Sequence, residues 1–156
     1  MNHHSNKLED FAFHDSEITS CILEGDILKM DVRMLNVHKD IIEGYDTDMQ
    51  LEGAKIVFRG FRLLRVEKEA EQTIYPNGEW SHFPNEVYEG IEAEVLFWAH
   101  MSGTFWVNCL AADASGYVLT GNEYARHEVV DIYFQFDEVE ISWDSFLCPA
   151  WYEQRR

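Results

Sequence analysis

Ile18-Thr19-Ser20-Cys21-Ile22-Leu23, then Glu24-Gly25-Asp26, then Ile27-Leu28-Lys29-Met30-Asp31-Val32-Arg33-Met34 reads as a β-hairpin. In its second run Leu28, Met30, Val32 and Met34 share one face, and Lys29, Asp31 and Arg33 share the other. That alternation is the period-2 mark of a strand with one face in a core. Gly25 supplies the positive φ that a tight reversal needs. A Gly25-Asp26 loop would oppose Ile22 to Lys29 and Ile18 to Arg33. A loop one residue longer opposes Ile22 to Leu28 and Ile18 to Val32. A slip of one residue turns every side chain to the other face, so the hydrophobic pattern selects the longer loop. In that register His14 and Ser16 extend the core-facing row, beside Met34, Asn36 and, diagonally, His38. Asp15 and Glu17 face away. His14 is then expected to be buried, neutral and held by a hydrogen bond.

The same alternation recurs along the chain. Residues 54–66 place Ile56, Phe58, Leu64 and Val66 against Val57, Arg59, Leu63 and Arg65, with a disturbance at Gly60-Phe61-Arg62 that fits a bulge. A helix stays open for 54–68, because it would gather Lys55, Arg59 and Arg62 on one side. Residues 92–98 and 104–111 read as strands around a His100-Met101-Ser102-Gly103 loop. Residues 113–116 form a turn, and strands follow at 117–120, 129–136 and 139–143. Short strands separated by Gly- and Asp-containing turns give a mainly β fold, an antiparallel β-barrel or β-sandwich with little helix. The expected core comprises Ile18, Ile22, Leu28, Met30, Val32, Ile56, Phe58, Val95, Phe97, Val107, Ile132 and Phe134.

The 156 residues suit one β-rich domain spanning 1–156. Residues 1–8 are polar and expected to be flexible, residues 38–53 are an acidic loop or edge segment, and the Pro-broken residues 145–156 should dock as a tail. Residues 70–90 hold Pro76-Asn77-Gly78 and Pro84-Asn85, strong turn signals. This long connection carries Tyr75, Trp80, His82, Phe83 and Tyr88. Its aromatics are expected to cap one end of the core, and the alternative is a lid over a pocket.

Acids outnumber bases 29 to 12, a formal net charge of −17. Such a field repels nucleic acid and anionic membranes and attracts basic partners. Between residues 86 and 144 twelve acids face a single base, Arg126. Glu92, Glu94, Asp131, Asp137, Glu138 and Glu140 are the candidate acidic partner surface. Residues 55–68 reverse the balance, with Lys55, Arg59, Arg62, Arg65 and Lys68 against Glu67. The N-terminus lacks an apolar signal core and no apolar run approaches membrane-spanning length, so a cytoplasmic protein is expected. Three cysteines at wide spacings fit no zinc pattern, and Cys21 and Cys109 read as small core residues.

His14-Asp15-Ser16 names the residues of a hydrolase triad. Neighbours on a strand cannot form one, and no serine sits in a G-x-S-x-G elbow. No metal and no cofactor is expected; a metal would have to start from His14 and His38, and the sequence assigns no third ligand. His14, Asp15, Ser16, His38, Trp80 and His82 are the candidate ligand- or partner-contacting residues.

Phe13-His14-Asp15-Ser16-Glu17-Ile18, followed by Glu24-Gly25-Asp26-Ile27-Leu28, resembles the opening of a loosely defined group of small bacterial proteins, some of them immunity-like. The run Ala54-Lys55-Ile56-Val57-Phe58-Arg59-Gly60-Phe61 is similar to their next strand. The immunity-like members neutralise toxins, and the resemblance assigns no catalytic residue. The acid bias of residues 86–144 makes a non-enzymatic protein-binding domain, such as an immunity-like inhibitor of a basic toxin, the expected function. The alternative is a small-ligand β-barrel or weak enzyme, with a pocket near His14 under the 75–88 loop.

Overall fold

The computed structural model describes residues 2–153. The chain begins with β1 (His3–Ser5), a 3-10 turn (Leu8–Asp10) and β2 (Phe11–Ala12). The hairpin follows as β3 (Glu17–Glu24) and β4 (Ile27–Arg33). Then come β5 (Asn36–Val37), a second 3-10 turn (Lys39–Ile41), β6 (Met49–Leu51), β7 (Ala54–Arg59), β8 (Arg62–Lys68) and β9 (Glu86–Tyr88). α1 (Gly90–Met101) precedes β10 (Phe105–Asp113), β11 (Gly116–Glu123), β12 (Val130–Gln135), β13 (Glu138–Trp143) and β14 (Phe146–Pro149). The fold is mainly antiparallel β, with one α-helix among the described residues.

Ten strands form one sheet in the order β1-β13-β7-β4-β3-β10-β11-β12-β8-β9. β7 and β8 stand far apart in that order, yet only Gly60 and Phe61 join them. β12 and β13 are likewise separated in the sheet and joined by Phe136 and Asp137. The sheet therefore curls on itself, and these two bent strand pairs make the corner of a barrel-like fold. Asp137 N–H donates to Arg59 C=O (2.8 Å) across the corner. Gly60 turns it at φ +69°, where a Cβ would meet the Asp137 carboxylate at 2.1 Å. Inside, Phe58 of β7 packs on Phe134 of β12 (5.5 Å between centroids) and on Phe136 (5.0 Å). A four-stranded sheet, β14-β6-β5-β2, lies beside the first. It ties residues 146–149 to β6, while residues 3–5 pair with β13.

The first hairpin combines both registers. Its tip is the Gly25-Asp26 loop, so Ile22 faces Lys29 rather than Leu28 and is exposed. A bulge between Ile18 and Ser20 then restores Ile18 opposite Val32, the pairing that the apolar face demands. Residues 54–68 are strands, not helix, and their disturbance is the corner rather than a bulge.

Two expectations fail along the 70–101 stretch. Residues 92–98 are not a strand: α1 gathers Ala93, Leu96, Phe97, His100 and Met101 on its inner face, a helical spacing that the apparent alternation hid. Val95 therefore points to solvent instead of the core, and His100 to Gly103 is the end of a helix rather than a hairpin loop. Most aromatics of the long connection do not cap the core either: Tyr75, Trp80, His82 and Phe83 are exposed, while Tyr88 packs against it as expected.

Candidate functional site

β8, the 69–85 connection, β9 and α1 together build the most distinctive surface. Pro76-Asn77-Gly78 reverses the chain: Gly78 takes φ +86°, its N–H donates to Tyr75 C=O (2.9 Å), and Tyr75 N–H donates to Glu79 C=O (2.7 Å). Ile74 and Trp80 form a single antiparallel bridge below the turn. Buried Ser81 is the knot of this arm. Its hydroxyl accepts from Thr73 N–H (2.7 Å) and donates to the Gln72 side-chain carbonyl (3.1 Å). The result is a short hairpin arm with Ile74, Tyr75, Trp80 and Phe83 exposed.

At its base lies a groove of about 920 Å³, floored by Ala70, Phe83, Pro84 and Val129. A second hollow of about 500 Å³, lined by Tyr88, Ile91, Val95 and Leu96, shares Lys68 and Arg126 with the first. Glu128 stands at the junction. It pairs with Lys68 Nζ (2.9 Å), Arg126 (3.6 Å) and His100 Nε2 (3.1 Å). The hydrogen bond from Lys68, with help from His100, holds its carboxyl below the usual glutamate range. His100 is fully buried on α1 and its Nδ1 accepts the Glu123 N–H (3.3 Å). The proton therefore sits on Nε2 and is donated to Glu128. Burial lowers the pKa of His100, so it is held neutral. Glu69, on the groove wall, is shifted the other way by burial and by the neighbouring Asp131 carboxylate. Glu128 is thus held by three partners at once.

His14 is not buried. Asp15 adopts φ +67°, and Ser16 N–H and Oγ both return to Phe13 C=O (2.9 and 2.6 Å). This turn swings His14 out, where Nδ1–H donates to Asn108 C=O (2.7 Å) and the ring lies 6.1 Å from Trp151. The turn also brings Asp15 to 3.6 Å from His14 Nε2, although alternation had them facing apart. Ser16 is buried as expected. Glu17 is buried too, not solvent-facing, and accepts from Arg33 Nε and the Tyr124 hydroxyl. Burial alone would raise its pKa, but these two donors outweigh it and lower it.

His38 pairs with Asp48 (3.2 Å), which also accepts from Tyr152 OH (2.6 Å) and Lys39 N–H (2.8 Å). His14 and His38 are thus linked through the adjacent Trp151 and Tyr152 rather than by facing one another. Among the described residues no group of three His, Cys, Asp or Glu side chains is placed to hold a metal. Trp80 and His82 are exposed on the arm. Glu92 and Glu94 lie on α1, Asp131 on β12 bonded to Thr120 (2.7 Å), Asp137 at the corner paired with Arg62 (3.0 Å), and Glu138 and Glu140 on β13. The six are spread over α1, β12, the corner and β13. Cys109 is exposed rather than in the core, beside the irregularity between Val107 and Cys109, while half-buried Cys21 has its thiol pushed up to about 12 by burial.

Sequence reasoning missed His100, Glu128 and Lys68. The signal for His100 was its place in the series 93, 96, 97, 100, 101; nothing local announces Glu128, which reaches it from a loop. Compared with family models, with curated proteins and with solved structures, the chain gives no match. No helix among the described residues is long and apolar enough to cross a membrane.

Proposed function

We propose that this chain is a non-enzymatic protein-binding domain that engages a basic partner through the arm, β9 and the outer face of α1. One observation carries the reading. Residues 69–94 contain seven glutamates and no lysine or arginine, and they expose Ile74, Tyr75, Trp80, Phe83, Val87 and Ile91. Contiguous exposed apolar side chains mark interaction sites, and tryptophan and tyrosine are the residues that most often anchor them. The carboxylates around them speed encounter with a cationic surface. Elsewhere several bases are used internally: Lys55 pairs with Asp31, Arg62 with Asp137, Arg65 with Glu67 and Lys68 with Glu128. An immunity-like inhibitor of a basic toxin fits this surface.

The test is affinity capture from the native host at low and high salt, with wild type beside a Trp80→Ala/Phe83→Ala variant. A basic protein retained at low salt, released by salt and lost from the variant supports the reading. Capture of no basic protein at low salt, or identical capture by the variant, refutes it. The groove lined by Lys68, Phe83 and Glu128 favours a second reading, a small-ligand site there rather than near His14.

A further inference from the structure

We propose that the basic partner inferred above, on whose existence this rests, docks an amphipathic helix along the outer face of α1. A helix on a protein surface carries one apolar stripe, turned to the core. α1 carries two. Ala93, Phe97 and Met101 are buried on its inner side. Ile91 and Val95, one turn apart on the opposite side, are 78% and 65% exposed. Ala99 continues their line, and with Leu96 and Tyr88 these residues line the hollow of about 500 Å³. Side chains four residues apart form the ridge by which one helix packs into the groove of another.

Hydrogen bonding selects the form of the occupant. Ile91, Val95, Leu96 and Ala99 have no polar side-chain atom to offer. An extended segment laid on them would bury backbone N–H and C=O groups without partners, whereas a helix satisfies its own. Charge selects the sign. Lys68, Arg126 and Glu92 also line the hollow, and both cations are already drawn to Glu128 (2.9 and 3.6 Å). At about 100° per residue Glu92 and Glu94 flank the line from Ile91 to Val95 on either side, and Glu89 precedes it. All three are exposed, and among the described residues none has an ion pair. Lysines or arginines bordering an incoming apolar stripe would meet them. A second copy of this chain would bring its own glutamates to the same row and be repelled.

The probe is a peptide of about 14 residues with leucine and lysine at helical spacing, too short to be stably helical alone. Its controls are the same leucines and lysines in strict alternation, and a leucine–glutamate peptide of helical spacing. In calorimetric titration the helical lysine peptide should bind saturably, roughly tenfold or more tightly than either control. Circular dichroism should show it gaining helix as it binds. Ile91→Gln/Val95→Gln should weaken binding roughly tenfold, and Glu92→Gln/Glu94→Gln several-fold. All four side chains are exposed, so both variants should unfold as cooperatively as wild type. No saturable binding, equal binding of the alternating peptide, binding without gain of helix, or unchanged affinity in Ile91→Gln/Val95→Gln overturns the proposal. So does a dimer of the protein alone in sedimentation that this variant abolishes, because a second copy then holds the face. Equal capture of the host's basic protein by wild type and by Ile91→Gln/Val95→Gln also overturns it and leaves the basic-partner reading standing. That reading fails separately, when no basic protein is captured at all.

Discussion

The imidazole of His100 has no exposed surface, and both of its nitrogens have partners. Removing it leaves the Glu123 N–H unpaired and a hole under α1, so His100→Ala should cost about 2–4 kcal/mol in denaturant titration. Its titration sets a pH dependence. The folded state holds the pKa below the ordinary value, so as pH falls the unfolded chain takes up its proton first. The stabilisation is complete above the ordinary histidine range and is lost as pH falls from about 6.5 through the depressed folded value. Glu128, Glu17 and Asp48, all lowered, continue the loss at more acidic pH. Unfolding midpoints should fall between about pH 7.5 and 5.5 in wild type and change less in His100→Gln. His14 carries the opposite expectation: its single hydrogen bond is solvent-exposed, so His14→Ala should cost about 1 kcal/mol or less, with no response to zinc. A loss of 3 kcal/mol or so would contradict the exposed placement. Alternation put His14 inside because it assumes an unbroken strand. The left-handed Asp15 breaks that strand, and aspartate tolerates the conformation without announcing it.

β7, β10, β11, β12 and β13 were readable in the sequence because each lays apolar side chains on one face between glycine- or aspartate-containing turns. The Asp113 turn shows why such signals work: its carboxylate accepts from the N–H groups of Ser115 (2.8 Å) and Gly116 (2.9 Å), closing the β10–β11 hairpin. α1 was unreadable by the same rule, because Ala93, Val95 and Phe97 alternate as neatly as a strand would. Paired substitutions separate the two geometries. Phe97→Ala should cost about 3–5 kcal/mol, since the ring is buried against Phe61 and Trp98. Val95→Lys should change stability by about 0.5 kcal/mol or less. In a strand 95 and 97 would share a face and both changes would be severe. Gly121, central in β11, tests the sheet itself. A Cβ there would lie 2.0 Å from Trp106 O and 2.8 Å from the Phe105 ring, both fixed parts of β10. At Gly60 the clash is with an exposed aspartate side chain that can move. Thermal melts should therefore show Gly121→Ala as the more destabilising, even though Gly60 also has positive φ. The candidate site was less readable than the fold. The arm's aromatics were visible in the sequence, but their exposure depends on a backbone that carries them away from the core.

The charge of the chain acts on stability and on association with opposite signs, and salt separates the two. With a formal net charge of −17, most carboxylates have no cation of their own, and folding brings them together. Ion pairs such as Lys29–Glu24 (3.1 Å) and Lys55–Asp31 (3.0 Å) lie on the surface, where each contributes about 1 kcal/mol or less. Self-repulsion among the remainder therefore dominates the long-range term. The screening length shrinks from about 30 Å at 0.01 M salt to about 10 Å at 0.1 M, which removes repulsion between distant carboxylates before it weakens contacts of 3 Å or so. The melting temperature should rise by roughly 2–5 °C over that range. The same screening weakens the field of the seven glutamates over residues 69–94, so association with a basic partner should slow. Differential scanning calorimetry and stopped-flow binding over one salt series measure both. A melting temperature that falls with salt would mean that the local ion pairs outweigh the net charge. An association rate insensitive to salt would mean that the arm meets its partner through Trp80, Phe83 and their neighbours without electrostatic steering. If both signs hold, the excess acid is a cost to the isolated fold that is recovered when a cationic surface covers it. Binding should then stabilise the protein most at low salt, where the unscreened repulsion it relieves is largest.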